Sequence, residues 1–249
     1  MLSRILLTAF GVVLLVGILW FWFHLALKKV DKDQRRPLSQ YAVPFLITAL
    51  PGTFLIIKLE TAIDPLITGH FQGIPMLIIE MFVVAALVEE SLKWFGAIPG
   101  LKLFKPKVPM DYVLMIGASG LGFAFSESCV DLWNSSTSLT MELAAVFLRG
   151  VYPFHLHTQF LMGIFLAYAL INKAKGKKGS QILCGVCMVV VPLVIHALHD
   201  FAAFLDEFIP EASGFSILFL IAEAVIIPIF VYKAIKALSR ESFIDKERE

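Results

Sequence analysis

The chain has 249 residues, of which 58% are hydrophobic and 16% are charged, with a mean hydropathy of +0.81 and a formal net charge of +1. A soluble domain has about 45–50% apolar and about 25% charged residues, so this composition excludes an ordinary soluble protein and predicts an integral membrane protein. The lysines and arginines form short clusters between apolar segments and no extended basic face, so we expect no nucleic-acid partner.

Apolar segments long enough to cross a bilayer, which requires about 20 residues per helix, follow one another along the chain. There are seven, and they cover residues 5–27, 40–58, 73–98, 111–130, 141–172, 181–205 and 213–236. The sequence therefore predicts an all-α, polytopic membrane bundle of about seven transmembrane helices. Because no soluble region or internal repeat interrupts the pattern, residues 1–249 are expected to form a single membrane domain.

The connections between these segments alternate in charge. The stretches "KKVDKDQRR", "LKLFKPK" and "KAKGKK" and the C-terminal tail are basic, whereas "ETAIDPLITGH", "VDLWNSSTS" and "FLDEFIPEASG" contain neither lysine nor arginine. Basic loops are retained on the cytoplasmic side of a membrane. This pattern predicts an N-terminus outside the cell and a C-terminus inside.

Ionisable residues within the predicted spans mark candidate functional positions, because each one costs about 2.5–3.5 kcal/mol to insert at a helix centre. The third segment contains "EESLK", in which Glu89 and Glu90 precede Lys93. The four-residue spacing between Glu89 and Lys93 predicts an ion pair on one helix face. We expect the lysine to neutralise one carboxylate and to leave the other free to take a proton from water.

The fourth and fifth segments add a second group of polar residues. Glu127 lies in "GLGFAFSES", which is otherwise uncharged, so it requires a buried partner, and Arg149 of the next segment would supply the counter-charge. In the fifth segment, Pro153 is expected to free a backbone carbonyl near His155 and His157.

The sixth segment carries "HALHD", which places His196 and Asp200 one helical turn apart on a common face. His199 is expected about 60° around the helix from His196. Glu223 in the seventh segment is isolated in the sequence and is interpreted as a structural residue that holds two helices together.

Polar clusters on consecutive helices predict a site enclosed by the bundle. Carboxylates and imidazoles without a serine or cysteine nucleophile indicate hydrolysis by an activated water molecule. Two other classes of protein also bury such groups: proton-coupled transporters or channels, and catalytically silent scaffolds. Transporters often show matched halves or broken helices, which the sequence lacks, and a silent scaffold would lose the paired Glu89 and Glu90.

The motifs "EESLK", "GFAFSES", an arginine followed by "HLHT" and Gly163, and "HALHD" resemble, in this order, the motifs of the PrsW family of intramembrane proteases. That family is similar to the type II CAAX prenyl proteases and to the scaffold subunit of gamma-secretase. The resemblance covers about residues 40–205, which would form the catalytic core. It leaves the first helix (5–27) and the last helix (213–236) at the periphery.

The resemblance implies catalytic and supporting residues. The catalytic positions would be Glu89, Glu90, Glu127, His155, His196 and Asp200, and the supporting positions would be Lys93, Arg149, His157 and His199. The third motif contains two histidines, of which His155 is preferred over His157.

The resemblance leaves two mechanisms open. With Zn²⁺, the metal ligands would be Glu127, His155 and His196, although the sequence lacks the "HExxH" motif. Without a metal, Glu89 or Glu90 would act as general base while the two histidines stabilise the oxyanion.

The implied function is hydrolysis of a peptide bond in a membrane-anchored protein within the lipid bilayer. The family's best-known substrate class implies site-1 cleavage of an anti-sigma factor in stress signalling. The expected location is the plasma membrane of a prokaryotic cell.

Overall fold

A computed structural model describes residues 2–30, 35–134, 150–241 and 243, and every regular element in this part of the chain is a helix. This result confirms the all-α fold class. The α-helices are α1 (Leu2–Leu27), α2 (Leu38–Ile47), α3 (Thr53–Thr68), α4 (Gly73–Ile79), α5 (Leu87–Phe104), α6 (Pro109–Asn134), α7 (Phe154–Ala174), α8 (Lys178–Phe208) and α9 (Ser213–Leu238).

Two short π-helical segments join successive α-helices into longer rods. The segment Thr48–Gly52 connects α2 to α3, and the segment Glu80–Ala86 connects α4 to α5. Pro51 lies within the first segment and, as a proline, donates no backbone hydrogen bond, which accounts for the wider turn there. The second segment ends three residues before Glu89, and π-helical turns often occur beside functional sites.

Five helical segments of the described chain are long and apolar enough to cross a membrane by length and composition: Leu38–Thr68, Pro109–Val130, Phe154–Ala174, Lys178–Phe208 and Pro210–Leu238. Helix α1 adds a shorter apolar stretch, Gly11–Leu27. The rod formed by α4 and α5 carries the charged residues of the third predicted span. The chain is therefore a helical membrane bundle, whereas the number of crossings and their orientation stay predictions.

One predicted loop is largely helical. The stretch "ETAIDPLITGH" was expected to connect two spans, but α3 continues through most of it and ends at Thr68. The hydroxyl groups of Thr61 and Thr68 donate hydrogen bonds to the carbonyls of Ile57 and Asp64, at 2.6 and 3.1 Å. Polar residues of this kind are compatible with a helix that extends beyond the hydrocarbon layer. The polarity of the stretch therefore did not mark the end of the helix.

The fifth predicted helix, 141–172, differs at its start. Residues 141–149 lie outside the described part of the chain, and α7 begins at Phe154, directly after Pro153. Proline has a fixed φ angle and lacks an N–H, so it suits the beginning of a helix better than its interior. The carbonyl that Pro153 would leave without a partner belongs to the residue four positions earlier, outside the described chain, so the expectation of a freed carbonyl stays a prediction. The carbonyl of Pro153 itself accepts hydrogen bonds from the backbone of Leu156 and His157.

Helices α6 and α7 form the buried centre of the bundle, whereas α8 and α9 expose most of their surface, as lipid-facing helices do. The two central helices approach closely at glycines. A Cβ atom at Gly120 would overlap the His155 carbonyl and the Gln159 side chain, and one at Gly163 would overlap the Val113 backbone. Small residues at such crossings are typical of membrane helix pairs. This contact brings His155 close to α6.

Candidate active site

The polar residues of four helices meet in one buried cluster inside the bundle. Helix α5 contributes Glu89, Glu90 and Lys93, α6 contributes Glu127, α7 contributes His155, and α8 contributes His196 and Asp200. Glu90, Lys93 and His196 are 3%, 0% and 1% exposed. Charged groups are stable at such depth only when partners replace their hydration, so the contacts between these side chains determine what the site can do.

Lys93 lies at the centre of the cluster. Its Nζ atom is 2.9 Å from Glu89 Oε2 and 3.0 Å from Glu90 Oε1, and it donates to His155 Nδ1 at 2.8 Å. It also lies 4.1 Å from the centroid of the Phe123 ring. The expectation that Lys93 would neutralise only one carboxylate was wrong. Residues three and four positions earlier on a helix share its face, so one ammonium reaches both.

Glu90 is held at both carboxylate oxygens. Its Oε1 atom binds Lys93 and lies 2.8 Å from His196 Nδ1, while its Oε2 atom accepts a hydrogen bond from Gln159 Nε2 at 2.6 Å. The Thr158 hydroxyl donates to Oε1 at 3.4 Å. Sequence reasoning missed Gln159 and Thr158 because it selected residues by the cost of burying a charge, and these two side chains are neutral. The available signal was the position of Gln159 one turn after His155.

Glu89 faces both imidazole rings with one oxygen. Its Oε2 atom lies 3.6 Å from His196 Nε2 and 3.9 Å from His155 Nδ1. Within the described chain, Glu89 contacts Lys93 and both histidines through this oxygen. Glu89 is therefore less constrained than Glu90 and lies near both histidines, whereas Glu90 makes the shorter contact with His196.

Glu89, His155 and His196 form a group that would suit a metal ion, since one ligand atom from each lies within 4.8 Å of the others. Two ligands at about 2.0–2.2 Å from a tetrahedral zinc ion are about 3.4 Å apart, which is near the separations found for Glu89. Glu127, the ligand expected from the sequence, lies on the other side of the His155 ring, with its Oε2 atom 2.7 Å from Nε2. In this structure it orients the imidazole, as carboxylates commonly do behind metal-binding histidines.

The two histidines of "HLHT" have different surroundings. His155 joins the cluster, whereas His157 is buried beside it, with Nδ1 2.9 Å from the Pro153 carbonyl and its ring packed against Trp22 and Tyr152. These contacts fit a supporting position for His157. Arg149, expected as the counter-charge of Glu127, lies outside the described residues.

The residues of "HALHD" are arranged as the helical spacing predicted. His196 Nε2 lies 3.2 Å from Asp200 Oδ2, one turn later on α8. His199 points elsewhere: its ring stacks on Phe154 with centroids 4.0 Å apart, and its Nδ1 atom lies 2.7 Å from Glu223 Oε2. Glu223, isolated in the sequence, therefore has a partner that ties α9 to α8.

A cavity of about 600 Å³ adjoins the cluster. Glu127, His155 and Asp200 form part of its wall, and most of the remaining wall is apolar. Ligand sites commonly combine an apolar cavity of this size with a few polar groups. One edge of the cluster is therefore accessible from the cavity.

Comparison with known proteins gives a family and one curated relative. Residues 36–232 match the sequence model of a family described as PrsW family intramembrane metalloprotease. The chain is also similar to a protein named Protease PrsW from Clostridioides difficile (strain 630), with 28% identity over 196 residues, which cover 78% of this chain and 76% of the relative. No solved structure matches the chain.

Proposed function

Because the chain belongs to the PrsW family of intramembrane metalloproteases, we propose that it cleaves a membrane-anchored, single-span protein within or next to the bilayer. Membership makes the chain a membrane-embedded peptidase, which decides against the transporter, the channel and the silent scaffold that the sequence left open. The observation that carries the proposal is the meeting of paired glutamates and two histidines in a cluster that adjoins a largely apolar cavity.

In the mechanism without a metal, Glu89 would act on the attacking water. Its Oε2 atom is directed at Lys93 and the histidines, so Oε1 is the atom that would accept the proton. Glu90 would be the positioning residue, because bonds from Lys93, His196 and Gln159 fix its carboxylate. This division of roles follows from the number of partners on each carboxylate.

In that metal-free mechanism, His155 and His196 would stabilise the negative charge that develops on the scissile carbonyl oxygen. Each ring is held by a carboxylate from a neighbouring position: His155 by Glu127, and His196 by Asp200. A hydrogen-bond donor aimed in advance at a developing oxyanion does not need to reorganise during the reaction, which is the main source of its catalytic effect.

The family description indicates a metal, and we propose Zn²⁺ bound by Glu89, His155 and His196. One glutamate and two histidines are a known donor set of catalytic zinc sites. Within the described part of the cluster, the carboxylates of Glu89, Glu90, Glu127 and Asp200 outnumber the ammonium of Lys93, so a further cation is electrostatically favourable. A bound zinc ion supplies Lewis acidity, which polarises a carbonyl and makes water a stronger acid.

Lys93 sets a condition on this fit. Its ammonium binds Glu89 Oε2 and His155 Nδ1, which are two of the proposed ligand atoms. The side chain would have to withdraw from them when an ion binds. Glu90 Oε1 is the partner it would keep, because that atom is not among the three ligands.

The substrate we propose is an anti-sigma factor, cut at site 1 in the plasma membrane of a bacterium. Two observations support this choice. The similar curated protein is bacterial, and the cavity lies beside the start of α7 and the end of α8, on the side that the loop charges predict to be external. A single-span protein can present a cleavable peptide bond at that depth.

The test is cleavage by the purified protein in liposomes that contain single-span proteins, anti-sigma factors among them. Glu89→Gln keeps the shape of the side chain but removes the base, so we expect the rate to fall by about 10²–10⁴. Glu207→Gln, an exposed carboxylate on α8, is the matched control and should retain the wild-type rate. Cleavage by Glu89→Gln at the wild-type rate, or proton movement without cleavage by wild type, would contradict the proposal.

A further inference from the structure

The cavity beside the cluster has a polar end and an apolar end. The polar end is formed by Glu127, His155 and Asp200. The apolar end is formed by side chains of two helices that the family motifs do not include: Leu15 and Leu19 from α1, and Ile217, Leu220, Ile221 and Ala224 from α9. A substrate that reaches the carboxylates through this cavity must therefore pass apolar walls.

Helices α1 and α9 are joined at the opposite end of the bundle. There, Lys29 Nζ lies 4.8 Å from the centroid of the Tyr232 ring, and Leu27, Val231 and Ile235 belong to the same hydrophobic core. At the level of the cavity, side chains of both helices line the same empty space. The two helices are therefore in contact near one end and line the cavity nearer the other.

The part of the cavity wall that α9 forms also belongs to the surface of the bundle. Ile217 and Ile221 line the cavity and are also 59% and 57% exposed. In a membrane, the surface around these apolar side chains of α9 is in contact with lipid chains. The cavity is thus accessible from within the bilayer.

We propose that a membrane-spanning segment of the substrate enters sideways between α1 and α9 and places an apolar side chain in this cavity, next to the scissile bond. This inference rests on the proposed protease function and adds the entry route and the class of residue that is bound. An apolar side chain suits the wall, while the polar end offers hydrogen-bonding groups to the backbone that unwinds for cleavage.

The wall formed by α9 is held in place near the site. His199 Nδ1 lies 2.7 Å from Glu223 Oε2, and the His199 ring stacks on Phe154 beside the cluster. Glu223 lies one turn after Leu220 and directly before Ala224, and both of these residues line the cavity. The bond between His199 and Glu223 sets the distance between α9 and the cluster, so the width of the cavity does not depend on lipid packing alone.

Photo-cross-linking from α9 tests the entry route. p-Benzoylphenylalanine would replace Ile217, which lines the cavity, or Leu218, which is 69% exposed and lies outside the cavity wall, in a Glu89→Gln chain that holds substrate without cutting it. The probe is a biotinylated synthetic peptide with one leucine- and alanine-rich span. We expect about ten- to a hundredfold more cross-linking from position 217, as burial of one apolar side chain would produce.

A second pair of variants fills the cavity. Ile221→Trp should abolish cross-linking from position 217, whereas Ile226→Trp, on the lipid-facing side of α9, should leave it unchanged. Equal cross-linking from positions 217 and 218, cross-linking from neither, or no effect of Ile221→Trp would overturn the inference. If the peptide cross-links as expected but wild type cuts no single-span protein, the entry route stands and the protease proposal fails. If wild type cuts a single-span protein but the peptide does not cross-link, the protease proposal stands and the entry route fails.

Discussion

At the scale of single residues, the cluster is stable because each buried charge has a specific partner. Lys93 is fully buried and compensates Glu89 and Glu90 together, while His155 and His196 each lie against carboxylates. Removing one partner of a buried ion pair costs about 3–5 kcal/mol, because the remaining charge is left without compensation. The Lys93 ammonium binds two of the atoms proposed as metal ligands. The stability of the fold and the binding of a metal are therefore linked at Lys93.

Lys93→Met tests this link. The change leaves buried carboxylates without their ammonium, so we expect the purified protein to unfold at a lower temperature in the presence of a chelator. Added Zn²⁺ should restore the unfolding temperature and bind at least about tenfold more tightly than in wild type, because a competing like charge is gone. Thermal unfolding in detergent and metal content by mass spectrometry give the two readouts.

Lys102→Met is the control for the lysine experiment, since Lys102 lies on the same helix and is exposed. It should behave as wild type in both measurements. An equal response of Lys93→Met and wild type to the chelator and to Zn²⁺ would show that Lys93 does not compete with a metal.

The neighbouring histidines allow a matched comparison. His155→Phe removes the ring nitrogens that contact Lys93 and Glu127, so cleavage should fall by about 10²–10⁴. His157→Phe keeps an aromatic ring between Trp22 and Tyr152 and loses one hydrogen bond, with a stability cost of about 1 kcal/mol. Its cleavage rate should stay within about tenfold of wild type. The opposite order of rates would assign the catalytic position to His157.

At the scale of helices, the site depends on how closely α6 and α7 approach. His155 and Gln159 extend from α7 toward α5, and their backbone position is fixed where Gly120 of α6 leaves room for them. The next helix pair is held differently, by the bond between His199 and Glu223. Close backbone contact therefore positions His155, whereas a polar side-chain pair positions α9, which lines the cavity.

Gly120→Ala tests the role of close approach. The added methyl group would meet the His155 carbonyl and the Gln159 side chain, so we expect a loss of about 1–3 kcal/mol in stability and a large drop in cleavage. Gly185→Ala on α8 makes the same chemical change with no atom within 4 Å of the new Cβ. Because alanine is more favourable than glycine in a helix by about 1 kcal/mol, this control should be neutral or stabilising. Thermal unfolding and the cleavage assay separate the outcomes, and an equal effect of both variants would remove close packing as the cause.

At the scale of the whole molecule, the bundle has a buried centre and an apolar exterior. Helices α6 and α7 are enclosed, whereas α8 and α9 present apolar side chains outward, including Val189, Val190, Val225 and Ile226. This distribution is the one expected of a protein whose surrounding solvent is hydrocarbon. The charged site is consequently separated from bulk water on most sides.

The orientation in the membrane is the remaining whole-molecule prediction. A reporter fused after Lys178, the first residue of α8 and the last of the basic stretch "KAKGKK", should be cytoplasmic, and one inserted at Glu211, in the lysine-free connection before α9, should be external. Alkaline phosphatase and green fluorescent protein fusions report the two sides. The reverse pattern would invert the assignment of the cavity to the external side.

The sequence by itself determined the helical membrane class and the residues that belong together. Composition identified the lipid environment, and the cost of burying charge singled out Glu89, Glu90, Lys93, His155 and His196, because such residues persist in a span only for a reason. Helical spacing also predicted the pair of His196 and Asp200. These features depend on local chemistry and on positions one turn apart, which a sequence records directly.

Only the tertiary structure decided the contacts between helices. It showed Lys93 bound to both glutamates and to His155, grouped Glu89 instead of Glu127 with the two histidines, and gave Glu90 its partner Gln159. It also gave the isolated Glu223 a partner in His199 and revealed the cavity between α1 and α9. Such contacts depend on the rotation and separation of whole helices. Those quantities are set by packing at positions such as Gly120 and Gly163, which the periodicity of one segment does not record.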